Sequence, residues 1–273
     1  MKIKREKLCF YSSMYKGRSR SREIIDCAAR FGIGGVELMN FCEELKTPSL
    51  DAAREIGKYA RERGLCLPCF SVGIDAISSP EESLSMLFGY AEICSELEIP
   101  YLHHTIALDY RCGRLCTEER EKRFNTGAAI ALSLADFCAP LGVKTLVEPQ
   151  GFVFNGIEWV DRIVSLSGER IGVVADIGNV LFADTDPSAF IKKMGSRIRH
   201  AHLKDYLFGG EDSEYVSEDG VRFSDCEIGC GDIDIAAALS AFSDIGYRGM
   251  YSLEFAAADG DGEVARVIDR ICD

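Results

Sequence analysis

The stretch Arg199-His200-Ala201-His202-Leu203-Lys204-Asp205-Tyr206 alternates like a β-strand, yet it runs into Lys and Asp instead of a Gly or Asn turn. Two of the chain's four histidines stand here two residues apart, so on a strand both point to the same side. Titratable groups at a strand tip suit the C-terminal mouth of a (β/α)8 barrel, where functional side chains collect.

Working outward, seven more short apolar runs recur at fairly regular intervals: 8–11, 35–38, 66–70, 99–104, 144–148, 171–176 and 250–254. Helical periodicity fills most of the gaps, for example over 23–31, 50–63, 82–97, 119–141 and 235–245. Several of these helices end at a glycine (Gly32, Gly64, Gly142, Gly246) just before the next strand. Strands alternating with helices indicate a parallel sheet, and eight units in this length predict an α/β (β/α)8 TIM barrel, one domain over residues 1–273. An open doubly wound sheet would carry a Gly-rich turn after its first strand, and Phe10–Gly17 reads FYSSMYKG instead. The segment Leu207–Phe223 is polar and acidic, and is expected to be a loose loop at the mouth, serving as lid or rim.

Composition narrows the function. The chain has 273 residues, 47% of them hydrophobic, and a formal net charge of −13, which argues against sequence-independent binding to a phosphate backbone. No apolar core follows the basic N-terminal residues and no run of eighteen apolar residues occurs, so neither a signal peptide nor a membrane span is expected. Twelve cysteines scattered through apolar segments of a long chain read as reduced thiols of a cytoplasmic protein.

The chemistry is at the strand tips. The fifth strand ends at Glu148, the sixth at Asp176, the seventh at His202 and the eighth at Glu254. In a barrel these four tips converge, and three converging carboxylates repel one another unless a cation lies among them. The set is a candidate shell for one divalent metal: oxygen ligands favour Mn2+, Mg2+ or Co2+, and the imidazole admits Zn2+. The alternative is that each residue bonds a nearby loop or helix terminus.

GGVEL at the second strand, LVEP at Glu148, ADIGN at Asp176, HLKD at His202, Gly229-Cys230-Gly231 and GYRGMYSLEF ending at Glu254 together resemble the xylose isomerase-like TIM-barrel superfamily. That group contains sugar and sugar-phosphate isomerases and epimerases and is related to the AP endonucleases. The resemblance covers nearly the whole chain in order. It implies that Glu148, Asp176, His202 and Glu254 bind one divalent metal, and that Glu148 and Glu254 are the acid/base pair of an isomerase or epimerase acting on a small sugar or polyol. There are departures. Asn179 stands where many relatives have histidine, leaving a hydroxyl-bonding group that cannot titrate. Phe154 replaces the glutamate that contacts substrate in 3-epimerases, and Phe223-Ser224-Asp225 replaces the Asp-x-His pair of the endonuclease-type phosphodiesterases. A dehydratase acting on a cyclic polyol is the nearer alternative, since it uses the same metal-stabilised enolate. A sugar-binding barrel without turnover is a further one.

Other residues are candidates for the substrate or its surroundings. Lys204 is expected to contact a substrate oxygen and Asp205 to orient an imidazole, or both to be solvated loop residues. Glu37 is expected to reach the mouth, or to bond a loop there. His103 and His104 point opposite ways on their strand, and His104, the last residue, is the candidate substrate contact. Tyr11 and Phe70 are expected to wall the pocket or join the core. Cys66 and Cys69 cannot share a metal from one strand, whereas Cys226 and Cys230 lie in a loop and can. The amides of Gly229-Cys230-Gly231 suit a phosphate, but Asp232 and Asp234 would repel it, which favours an unphosphorylated substrate. The sequence leaves the oligomeric state open.

Overall fold

Parallel strands buried on both faces need helices over them, and the chain supplies one after nearly every strand. A computed structural model describes residues 2–13, 20–108, 115–210, 212–257 and 260–272. In chain order its elements are β1 (Leu8–Tyr11), α1 (Ser21–Phe31), β2 (Gly35–Met39), α2 (Leu50–Glu62), β3 (Phe70–Val72), α3 (Pro80–Glu96), β4 (Tyr101–His104) and α4 (Thr117–Cys138). Then come β5 (Lys144–Val147), α5 (Gly156–Leu166), β6 (Gly172–Asp176), α6 (Pro187–Met194) and β7 (Ile198–Leu203). The remainder is β8 (Tyr206–Phe208), β9 (Tyr215–Val216), β10 (Arg222–Asp225), α7 (Ile235–Asp244), β11 (Tyr251–Leu253) and α8 (Asp261–Ile271). Eight strands close a barrel in the order β1-β11-β7-β6-β5-β4-β3-β2, so the fold is the expected TIM barrel.

Local chemistry sets the helix ends. Gly32 closes α1 in the left-handed region at φ 66°, a conformation open to glycine because it has no Cβ. Asp186 caps α6 by accepting the Ala189 N–H at 2.7 Å, and Pro187 begins that helix without a donor to waste. Helix α8 buries Val264, Val267, Ile268 and Ile271, a helical stripe that meets the barrel wall. Leu38, Phe70, Leu102, Val173 and Leu253 belong to the same core. Each buried aliphatic contributes about 1.5–3 kcal/mol on leaving water. The helical stretch Thr117–Leu141 is long and apolar enough to cross a bilayer, but here it buries Phe124, Ile130 and Leu134 in the core.

Two expectations are corrected. The third strand forms at Phe70–Val72 and not from Cys66, because Pro68 has no N–H to give and Cys66 makes only an isolated bridge to Gly35. The acidic segment after the seventh barrel strand is not a loose loop. Its described residues build a three-stranded antiparallel sheet, β8-β10-β9, with Tyr206, Tyr215 and Phe223 packed around Phe182.

Candidate active site

Strand parity assembles the mouth. Cys69, Leu146 and Val174 form an apolar plug inside the barrel. Two residues further on, the same strands turn Ser71, Glu148 and Asp176 to that side. Register then places Asp176 beside His202 and His202 beside Ser252, with Glu254 just past the end of β11.

The four strand-tip residues meet. His202 Nδ1 lies 3.0 Å from Glu254 Oε2, 3.4 Å from Glu148 Oε2 and 3.7 Å from Asp176 Oδ2. Among the described residues none of these four buried atoms has a hydrogen-bond partner, although Lys204 Nζ stands 3.3 Å from Asp176 Oδ2. Buried oxygens left unpaired are costly, and three of them aimed with a ring nitrogen at one region fit a divalent cation. The other oxygen of Asp176 accepts the backbone N–H groups of Gly178 at 2.8 Å and Asn179 at 2.7 Å, which holds the carboxylate still.

Glu37 does not reach the substrate side of the mouth. It is fully buried beneath His202, with Oε1 and Oε2 each 3.1 Å from His202 Nε2 and Oε2 2.7 Å from His200 Nε2. Ser71 and Ser252 donate their hydroxyls to the same carboxylate. Glu37 is thus a positioning residue: it occupies the far nitrogen of His202 so that Nδ1 faces the cluster.

Of the two adjacent histidines, His103 and not His104 is at the site. His103 Nδ1 lies 2.8 Å from Ser71 Oγ, and its Nε2 is 3.5 Å from Glu148 Oε1. The next residue on a strand must point the other way. His104 is buried away from the cluster, its Nδ1 3.2 Å from the Thr105 carbonyl oxygen. Burial lowers its pKa to about 4, with His103 adding to the shift.

Lys204 and Asn179 stand beside the cluster. Lys204 Nζ donates to Asn179 Oδ1 at 3.0 Å and contacts Glu254 Oε1 at 2.8 Å. Asp205 does neither job foreseen for it. Buried below Lys204, it accepts the N–H groups of Gly229 at 2.9 Å, Gly231 at 2.8 Å and Ile233 at 3.2 Å. The glycine amides that suit a phosphate are therefore taken by a carboxylate of the chain itself. A Cβ at Gly231 would come within 2.2 Å of Asp205 Oδ1, which explains the glycine.

The remaining candidates fall elsewhere. Tyr11 packs on His202 with ring centroids 5.0 Å apart, whereas Phe70 stacks on Tyr90 in the core. Phe154 is buried against Phe124, so its side chain belongs to the packing of α4. Phe223 is buried in the rim sheet's aromatic cluster. Among the described residues no metal-competent cluster includes Cys226, Cys230 or Asp225, and every described cysteine is a free thiol.

The electrostatics favour a cation among these groups. Burial pushes the carboxyls of Glu37, Glu148 and Asp176 upward, but their partners win and hold all three below the ordinary carboxylate range. Those partners are His202 and His200 for Glu37, His103 and His202 for Glu148, and chiefly Lys204 for Asp176. For His202 burial favours the neutral ring, yet Glu37 and the three carboxylates around Nδ1 keep its pKa well above the ordinary value. Glu254 is the most open of the four strand-tip residues, its side chain 22% exposed against 4% for Glu148.

Glu254, Lys204 and Asn179 open on a cavity of about 280 Å³ that Tyr215 and Asp225 of the rim sheet also line. A larger cavity of about 420 Å³ lies outside the mouth, between α6, α7 and the rim sheet. Its aspartates already serve as caps or loop anchors: Asp184 for Asp219 N–H, Asp186 for Ala189 N–H, Asp232 for Phe208 N–H and Asp234 for Ala237 N–H.

Fold and site together define a (β/α)8 barrel with a cation-ready cluster of carboxylates and imidazole at its C-terminal mouth. A family described as xylose isomerase-like TIM barrel matches residues 25–271, and the chain belongs to it. Among individual relatives, the rhizopine catabolism protein MocC of Rhizobium meliloti is 32% identical over 129 residues, covering 44% of this chain and 39% of that protein. An inosose dehydratase of Clostridium perfringens is 28% identical over 127 residues, covering 44% of this chain and 41% of the relative. The matches thus span about two fifths of those relatives' length. Among solved structures, the IolI protein with a bound zinc atom superposes with a TM-score of 0.75 at 19% identity, over 97% of this chain and 98% of that one. A D-psicose 3-epimerase with D-tagatose, from Clostridium cellulolyticum H10, gives 0.72 at 15% identity, over 97% of each chain. At such identities the likeness is one of fold.

Proposed function

We propose that this chain is a metal-dependent enzyme that moves a proton on the carbon next to a carbonyl of a sugar or cyclic polyol, as a sugar isomerase or epimerase does. One observation carries the reading: four side chains from four adjacent strands each aim a buried atom, unpartnered among the described residues, at one region beside an open cavity. Glu148, Asp176, His202 and Glu254 would hold one Mn2+, Mg2+, Co2+ or Zn2+. Bound there, the metal would supply Lewis-acid polarisation of the substrate carbonyl. The chain's own residues do the rest. Glu254, open to the cavity, takes and returns the proton; Glu148, deeper and beside His103, is the second carboxylate of the pair. Lys204 and Asn179 meet the substrate's oxygens from the cavity wall. The free thiols fit a reducing, cytoplasmic setting.

Elimination of water from a keto-polyol is a second reading. It is supported by the Lys204 ammonium lying 2.8 Å from Glu254, which puts a proton donor and a base on one side of the cavity. The partial match to an inosose dehydratase supports it too.

The test is deuterium uptake. Metal-loaded protein is incubated in D2O with ketoses, keto-inositols and 3-keto sugars, and carbon-bound deuterium is read by NMR. Uptake that disappears in Glu148→Gln and Glu254→Gln is the expected result, and the labelled carbon and product separate epimerisation, isomerisation and dehydration. No uptake with any compound by a metal-loaded protein would overturn the reading.

A further inference from the structure

We propose that Asp225 makes the cavity selective for an unphosphorylated, hydroxyl-rich substrate, its carboxylate accepting substrate hydroxyls from the rim side. This deepens the function proposed above and rests on it.

Asp225 ends β10, two residues beyond the acidic segment, and the sequence noted it only as standing in place of an endonuclease-type histidine. Register pairs it with Tyr206 of β8, and its side chain lines the same cavity as Glu254 and Lys204. Its position is held. The Tyr215 hydroxyl donates to Asp225 Oδ2 at 3.2 Å, and the Tyr215 ring is wedged 5.3 Å from Phe182 and 5.8 Å from Phe223, centroid to centroid. One tyrosine hydroxyl leaves a carboxylate with acceptor capacity to spare, and sugar hydroxyls are donors that can use it. Asp225 is exposed at the edge of the cavity, where a substrate hydroxyl can take the place of water on its carboxylate.

The same carboxylate disfavours a phosphate, and two features of the surroundings agree. Among the described residues lining the cavity, Lys204 is the only cation, and it is already engaged with Asn179, Asp176 and Glu254. The nearby glycine amides, the natural anion cradle of this loop, are occupied by Asp205. A phosphate placed between Asp225 and Glu254 would meet like charge with no compensating donor set from these residues.

The experiment measures binding, not turnover. 15N-labelled, Mg2+-loaded protein is titrated with D-fructose, D-tagatose, a keto-inositol and D-fructose 6-phosphate, and Kd is taken from amide shifts. The wild type should bind the best neutral ketone at least about tenfold more tightly than the phosphate ester. Asp225→Asn and Asp225→Ser should weaken the neutral ketone and bring the two Kd values within about threefold. The same spectra show that each variant is folded. An ester that binds the wild type as well as the ketones do, or a ratio unchanged in both variants, overturns the inference. Binding without deuterium uptake would overturn only the proposed function. If no neutral ketone binds the loaded protein, both are overturned.

Discussion

The carboxylate of Glu37 sits directly under the imidazole of His202, with both of its oxygens 3.1 Å from Nε2. Glu37 therefore fixes which nitrogen of His202 faces the three carboxylates above. Glu37→Gln should weaken divalent-metal binding by about 10–100-fold without unfolding the protein, as measured by calorimetric titration with Mn2+ or Zn2+. Unchanged affinity would mean that the four strand-tip residues orient themselves unaided.

Lys204 stands 3.3 Å from Asp176 Oδ2 and 2.8 Å from Glu254 Oε1, where it would compete with the proposed metal for the same negative charge. Lys204→Met should tighten metal binding by about five- to tenfold while lowering the melting temperature of the metal-free protein. Differential scanning calorimetry with and without chelator reads both effects. Weaker metal binding in the variant would show that the ammonium organises the ligands more than it opposes the metal.

His104 makes stability depend on pH. Its pKa is about 4 in the folded chain against an ordinary value of 6.5, so between those values the unfolded chain binds the proton and the folded chain does not. This contribution is complete above pH 6.5 and is lost as pH falls toward 4, amounting to about 2 kcal/mol between pH 7.5 and pH 5. Urea denaturation at the two pH values should show a drop smaller by that amount in His104→Leu than in the wild type. Equal drops would mean that the imidazole is protonated in the folded state.

Asp205 gathers the N–H groups of Tyr206, Gly229, Gly231 and Ile233 onto one buried carboxylate. Asp205→Asn swaps one accepting oxygen for a donor that would face backbone donors, and should cost about 2–4 kcal/mol. The loss should appear in urea denaturation, with hydrogen exchange faster at residues 229–233 than elsewhere. A variant as stable as the wild type would leave the loop's order to its backbone turns.

Much of this protein follows from its sequence alone. Apolar runs punctuated by amphipathic segments and terminal glycines lead to the barrel, because each element's periodicity is written locally. The tips at Glu148, Asp176, His202 and Glu254 were legible for the same reason: each closes an apolar run, and a barrel sends such closing residues to one mouth. What lies beneath and around them was not. Glu37 and His202 are 165 positions apart, and only closure of the barrel puts one under the other. Whether His103 or His104 faces inward depends on the residue at which β4 enters the wall, a matter of register with β3 and β5 that the run YLHH does not contain. The glycine amides looked open to a phosphate until Asp205 was seen to fill them, and the acidic segment showed no clean alternation until paired strands and an aromatic cluster gave it order. Local periodicity decides the elements; the partners of buried polar groups are decided where distant strands meet, because only there must each lost contact with water be replaced.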